Sequence, residues 1–206
     1  EQNKEKLNQY MELKSFLDKH ENCVGVTITD LQWHPVYSKN PVISKNIHDV
    51  FHEFLSSLTK AGYGVVFIPQ LYGNGNDFDL MCTFCCDTND YFVVTASDEQ
   101  YDTYFQQYLI GQLYAVIGMR YHSNIFSAKM GTPFISISYE QKMKGFMEKM
   151  NLPEYCIELQ NCFVQLVNHY DEYKKYLYSK HTFMKAESHK TTDILEMILE
   201  RKEKAQ

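Results

Sequence analysis

The chain has 206 residues, 44% of them hydrophobic and 15% aromatic, enough to bury the core of one good-sized domain or a tight pair. Its net charge of −6 argues against a general binder of nucleic-acid phosphates, which needs a basic face. No apolar stretch reaches the length of a membrane span and no charged-then-apolar leader opens the chain, whose first residue is Glu1 rather than Met, so a processed or cut start is expected.

Residues 1–20 place Leu7, Tyr10, Met11, Leu13, Phe16 and Leu17 at roughly helical spacing, with a charged opposite face. The β-branched run "CVGVTIT", residues 23–29, predicts a buried strand. An irregular stretch with two prolines follows. An amphipathic helix is expected over 47–61, with Val50, Phe51, Phe54, Leu55 and Leu58 as its stripe and Gly62 at its end. "YGVVFIPQL" predicts a second strand, "YGNGNDFD" a turn-rich loop, and the segment after it a short helix carrying a cysteine cluster. "YFVVTA", residues 91–96, is the third strand. Ser97 is the expected N-cap of a helix over 98–113, with acids in its first turn. "YAVIGM" gives a fourth strand, residues 122–130 a helix closed by Gly131, "TPFISIS" a fifth strand and 141–150 another helix. "YCIEL" is a short sixth strand, and from Asn161 the chain reads as helical and increasingly charged.

Strand and helix thus alternate at least five times, and the strands are continuous apolar runs. Such runs occur where both faces of a sheet are covered. The expected fold is α/β, a doubly wound, mostly parallel, Rossmann-like sheet. Ligands of that architecture bind beyond the carboxyl ends of the strands. The six cysteines, Cys23, Cys82, Cys85, Cys86, Cys156 and Cys162, lie mostly in apolar segments and read as reduced thiols of a cytoplasmic protein. A structural zinc site would need a second ligand pair beside Cys82, Cys85 and Cys86, and the sequence offers none.

The stretch "GMRYHSNIFSAKMGTPFISISYEQKMKGF", residues 118–146, supplies two of the loops at that rim. Arg120 offers a planar fork for carboxylate or phosphate, and backbone amides near Ser123 and Asn124, at the helix start, are expected to point unpaired at the same crevice. An imidazole titrates near neutral pH, which makes His122 a candidate proton carrier. Ser138, Tyr139, Lys142 and Lys144 come from the neighbouring loop and helix start. Plainer roles are open for each: a helix cap or surface residue for His122, an ordinary ion pair for Arg120, a solvated helix face for the two lysines. The glycines of "GYG" and "GNG" form neither a dinucleotide fingerprint nor a P-loop.

The same stretch resembles the most recognisable segment of the polysaccharide pyruvyl transferase family. Gly118, Met119, Arg120 and His122 stand where that family has Gly-Met-Arg-x-His. Gly131 and Pro133 match its Gly-x-Pro turn, Ile137, Ser138 and Tyr139 its Ile-Ser-Tyr, and Lys142, Gly145 and Phe146 its Lys-x-x-Gly-Phe. "VGVTIT" and "VVFIPQ" are also similar to the family's strand-and-loop pattern, so the likeness runs from about residue 23 to 159. Tyr121 and Ser123 depart from the expected Leu and Ala, and Glu140 and Gln141 from a common Asp-Pro pair.

The resemblance implies one lobe of a two-lobed, GT-B type transferase: a linker helix over 1–20, a Rossmann-like donor-binding domain over 21–160, and C-terminal helices over 161–206 packing back on the domain or on an absent N-terminal lobe. It implies transfer of a pyruvyl group from phosphoenolpyruvate to two sugar hydroxyls as a cyclic ketal, in the making of exopolysaccharide or cell-surface glycan. Arg120 and His122 would be the catalytic pair. Ser123, Asn124, Ser138, Tyr139, Lys142 and Lys144 would bind the donor, and Gln70, Asp30, Asp77 and Asp79 would be placed toward the sugar. The scheme requires no metal and no cofactor. Its partners are phosphoenolpyruvate, a saccharide acceptor that a lipid could carry, and the other lobe. A sugar-nucleotide glycosyltransferase lobe and a non-catalytic anion-binding α/β module are the alternatives.

Overall fold

A computed structural model describes residues 2–31, 33–35, 37–39, 41–71, 76–85, 89–95 and 102–159. The helices expected beyond residue 160, Cys86, Ser97 and the segment 98–101 lie outside them. Six parallel strands form one sheet: β1 (Cys23–Thr27), β2 (Gly64–Phe67), β3 (Tyr91–Val93), β4 (Ala115–Gly118), β5 (Phe134–Ser138) and β6 (Cys156–Glu158). Their order across the sheet is β3-β2-β1-β4-β5-β6. The fold is therefore the expected doubly wound α/β sheet, and the order reverses between β1 and β4.

Alternation along each strand divides the core between the two faces. Val24 and Val26, Val65 and Phe67, and Ile117, Ile135, Ile137 and Ile157 meet Phe51, Phe54, Leu55 and Leu58 of helix α3 (Pro41–Lys60) on one side. Cys23, Val66, Ile68, Val116 and Phe134 pack on the other side. There they meet residues of α1 (Gln2–Gln9), α2 (Met11–Lys19), α5 (Thr103–Ile110), α6 (Tyr121–Met130) and α7 (Gln141–Lys149). Burial on both faces explains why the strands read as unbroken apolar runs.

Several boundaries differ from the sequence expectation, each for a local reason. The first helix is two, because Tyr10 leaves helical geometry (φ −82°, ψ 74°). Its buried ring packs edge-on against Phe92 at 5.8 Å, and its hydroxyl accepts from the Thr95 amide at 3.2 Å. Helix α3 begins six residues earlier than expected, at Pro41, where proline suits a first helical position because the N–H it lacks would have no intrahelical acceptor. The N-cap of α5 is Asp102, whose carboxylate accepts from the Phe105 amide at 2.6 Å, rather than Ser97. Helix α4 (Asp77–Cys82) is capped by Asn76 and stops at the first cysteine of the cluster, so Cys82 is exposed instead of being a core thiol.

Two glycines show where backbone geometry matters and where it does not. Gly131 closes α6 in the left-handed region (φ 70°), as expected of a helix C-cap. Gly145 sits inside α7, and a Cβ there would meet nothing within 4 Å. Gly131→Ala should therefore cost about 1–2 kcal/mol, whereas Gly145→Ala should stabilise by about 1 kcal/mol. Urea midpoints of the two variants check the opposite signs, and a stabilised Gly131→Ala would contradict the cap geometry.

Candidate active site at the strand ends

The site is assembled where β1 and β4 lie side by side. Thr27 and Gly118, their last residues, are paired in register. The Arg120 amide donates to Thr27 Oγ1 at 3.2 Å. Ser123 Oγ donates to the Arg120 carbonyl at 2.7 Å, so the Thr27 hydroxyl, 2.9 Å away, is left to donate to Ser123 Oγ. This chain of hydroxyls fixes the turn from β4 into α6. Gly118 is required beneath it: a Cβ there would come within 2.1 Å of Asn124 Oδ1 and 2.7 Å of Ser123 Oγ. Asn124 is fully buried, and its amide nitrogen donates to Ser136 Oγ at 2.8 Å, locking α6 to β5.

The Arg120 side chain reaches across the rim to the first residue of α4. Its Nε donates to Asp77 Oδ2 at 3.0 Å and its Nη2 to Oδ1 at 2.5 Å, the two-pronged geometry that suits a guanidinium to a carboxylate. Asp77 Oδ2 also accepts from the backbone amides of Gln70 and Leu71, each at 3.0 Å. The Asp77 side chain has no exposed surface, and that of Arg120 is 13% exposed. Gln70 continues the network, its Oε1 accepting from the Ser123 amide at 3.1 Å and its Nε2 donating to Gln106 Oε1 at 3.3 Å. Tyr139, just past β5, is near enough to Arg120 for the guanidinium to act on its phenol. Burial pushes its phenol above the usual range, against the pull of the guanidinium, so Tyr139 is a neutral hydroxyl at physiological pH.

The structure thus brings Arg120, Ser123, Gln70 and Tyr139 into one cluster. It corrects three expectations. The Ser123 amide is not unpaired, because Gln70 Oε1 takes it. Asp77 is not placed for a sugar, because it is buried under Arg120 and two amides. Asp79 is drawn into the α4 cap, where its amide donates to Asn76 Oδ1 and its carboxylate accepts from Asn76 Nδ2. Ser138 is buried and donates to the Glu140 carbonyl at 3.0 Å. Lys142 pairs with Glu140 at 2.7 Å and lies 5.7 Å above the Tyr121 ring, and the Glu140 carboxylate raises the lysine's pKa. Lys144 pairs with Glu158 of β6, away from the cluster. His122 is exposed on the first turn of α6, its ring 6.2 Å from that of Tyr121 and 6.1 Å from that of Phe126. Asp30 is half-buried in the loop after β1.

Thr27 and Gln106 are the members that sequence reasoning missed. Thr27 had a legible signal, as the polar residue ending an apolar strand; Gln106 had none. The Arg120–Asp77 pair is neutral as a unit. Beside it stand the remaining guanidinium N–H groups and the start of α6, whose first-turn amides have no acceptor within the helix, the Ser123 amide being taken by Gln70. Among the described residues no group of three or more His, Cys, Asp or Glu is placed to hold a metal ion. An open cleft of about 450 Å³, lined by Lys4, Lys14, His20 and Tyr114 among others, lies at the opposite end of the strands and is separate from this site.

These features define a Rossmann-like domain with a preorganised arginine and a helix N-terminus at the point where the strand order reverses. The chain belongs to the polysaccharide pyruvyl transferase family, whose model matches residues 8–141 and so includes the whole arginine cluster. It is also similar to the amylovoran biosynthesis protein AmsJ of Erwinia amylovora, with 40% identity over 53 residues. That stretch is 26% of this chain and spans 13% of AmsJ. Among the described residues no helix is long and apolar enough to cross a membrane.

Removing one partner of a buried ion pair strands the other, so Asp77→Ala should destabilise the fold by about 3 kcal/mol or more. The double variant Asp77→Ala/Arg120→Ala should lose less than the sum of the two single losses. A double-mutant cycle in urea measures this, and simple additivity would mean that the two side chains do not interact in solution.

Proposed function

We propose that the protein transfers a pyruvyl group from phosphoenolpyruvate to two hydroxyls of a saccharide, forming a cyclic ketal in exopolysaccharide or cell-surface glycan synthesis. The supporting observation is the placement of Arg120 beside the α6 N-terminus in a family-matched segment, held by Asp77 and Thr27 before any ligand arrives. The donor carries a carboxylate and a phosphate, which suit a guanidinium and helix amides.

The chemistry balances without an external oxidant or reductant. C3 of phosphoenolpyruvate takes a proton, and C2 becomes an oxocarbenium-like centre. One sugar hydroxyl attacks C2 and loses its proton to a base. The C2–O bond to phosphate breaks, a second hydroxyl attacks C2 and loses its proton, and inorganic phosphate departs. His122, exposed on the first turn of α6, is the candidate for carrying one of these protons; Tyr139, a neutral phenol beside Arg120, is a hydrogen-bond donor to the bound donor. In this reading the domain is one lobe of a larger transferase and turns over little by itself. The free thiols of Cys23, Cys82, Cys85 and Cys156 suit the cytoplasm, where thiols stay reduced.

The test supplies the intact enzyme with phosphoenolpyruvate and saccharide acceptors, and reads phosphate release together with the acceptor's mass gain of one pyruvyl ketal. His122→Ala should lower kcat about 100-fold or more, while Lys144→Ala, paired away from the cluster, should stay within about twofold of wild type. A protein whose melting temperature rises with nucleotide sugars but not with phosphoenolpyruvate, and which releases no phosphate, would refute pyruvyl transfer in favour of glycosyl transfer.

A further inference from the structure

Trp33 is the single tryptophan of the chain, and it is 53% exposed. Tryptophan is highly buried on average, so an open indole calls for a reason. Its surroundings are aromatic. The Trp33 and His34 rings lie 5.6 Å apart, Trp33 and Tyr139 6.2 Å apart at 82°, and His34 is 4.8 Å from Tyr37 and 6.1 Å from Tyr139. Tyr37 and Tyr139 are themselves packed on the core, which anchors the cluster. The loop after β1 and the loop after β5 therefore build one aromatic platform at the carboxyl end of the sheet. Tyr139 connects it to the site, since its ring belongs to the platform and the Arg120 guanidinium is near enough to pull on its phenol.

We propose that this platform is the acceptor subsite, where a neutral hexopyranose ring stacks on Trp33 with its hydroxyls turned toward Arg120. A pyranose presents an apolar face of carbon-bound hydrogens, which carry slight positive charge, to the negative face of an aromatic ring. The same ring has a rim of hydroxyls, which suits the charged groups that act on Tyr139 at the platform's edge: Arg120, Glu140 and Lys142. A purely apolar partner would cover the indole but leave that border without hydrogen bonds. The spacing also fits: the indole meets Tyr139 directly, and Tyr139 is the residue next to the guanidinium. As the acceptor side of pyruvyl transfer the assignment rests on the proposed function; as a saccharide subsite it stands or falls alone.

Trp33 is the single tryptophan of these 206 residues, so the emission of this chain reports on it directly. The protein is titrated with methyl β-D-galactopyranoside, methyl β-D-glucopyranoside and methyl β-D-mannopyranoside, with sorbitol as an open-chain control, and acrylamide quenching of Trp33 is measured. At least one glycoside should protect the indole saturably where sorbitol does not. Protection by none of the three, or equal protection by phosphatidylcholine vesicles, would overturn the subsite. With phosphoenolpyruvate present and a glycoside that is pyruvylated, Trp33→Ala should raise the KM for the glycoside about tenfold and leave that for phosphoenolpyruvate within about twofold, with Trp33→Phe restoring most of the loss. An unchanged glycoside KM would likewise overturn it. Protection of the indole in this chain, together with no ketal or phosphate release by the intact enzyme, would uphold the saccharide platform and remove pyruvyl transfer instead.

Discussion

The two-pronged pair between Arg120 and Asp77 is the interaction on which the rim depends. It links the segment after β2 to the turn after β4, over the end of the strand that lies between them. Asp77 is held in turn by the Gln70 and Leu71 amides, and Arg120 by the Thr27 hydroxyl. The carboxylate is thereby fixed by neutral hydrogen bonds as well as by its opposite charge, while the arginine is pinned at its backbone. A guanidinium mounted this way loses little freedom on meeting a ligand, which is how a preorganised site gains over a flexible one. The arrangement also sets a limit. With its charge balanced by a buried carboxylate, the arginine contributes direction and N–H groups more than net attraction.

The surface chemistry of the neighbouring helix points the same way. Lys142 and Lys144 of α7 both meet glutamates, one from the loop before the helix and one from β6. Neither lysine is a bare positive charge, in keeping with the chain's overall acidity. What this rim offers in place of bare charge is hydrogen-bond geometry near the helix start, where backbone dipoles converge.

The architecture was legible in the sequence because burial on both faces writes itself as unbroken runs such as "VGVTIT" and "FISIS". The Gly131 cap was legible because one residue type dominates that conformation. Boundaries were less so. Tyr10 interrupts a regular helical stripe only because its ring and hydroxyl find partners in Phe92 and Thr95, far along the chain. The cap of α5 was misplaced because serine and aspartate are both good caps, and the local pattern does not choose between Ser97 and Asp102. At the site, the positions of Arg120 and Ser123 followed from strand order, but their partners did not. The carboxylate of Asp77 meets its guanidinium 43 residues on, and nothing in either segment names the other. Trp33 lay in a stretch that offered no periodicity, so its exposure beside Tyr139 emerged only from tertiary packing.

The cysteines carry a last implication. Burial pushes the Cys23 thiol up to about 11, and burial likewise raises the pKa of Cys82 and Cys156 above the ordinary thiol value. At physiological pH these three groups are almost wholly protonated, and a protonated sulfur is a poor nucleophile. Any sulfur chemistry at these positions must first take that proton away, which sets them apart from the low-pKa thiols that serve as nucleophiles.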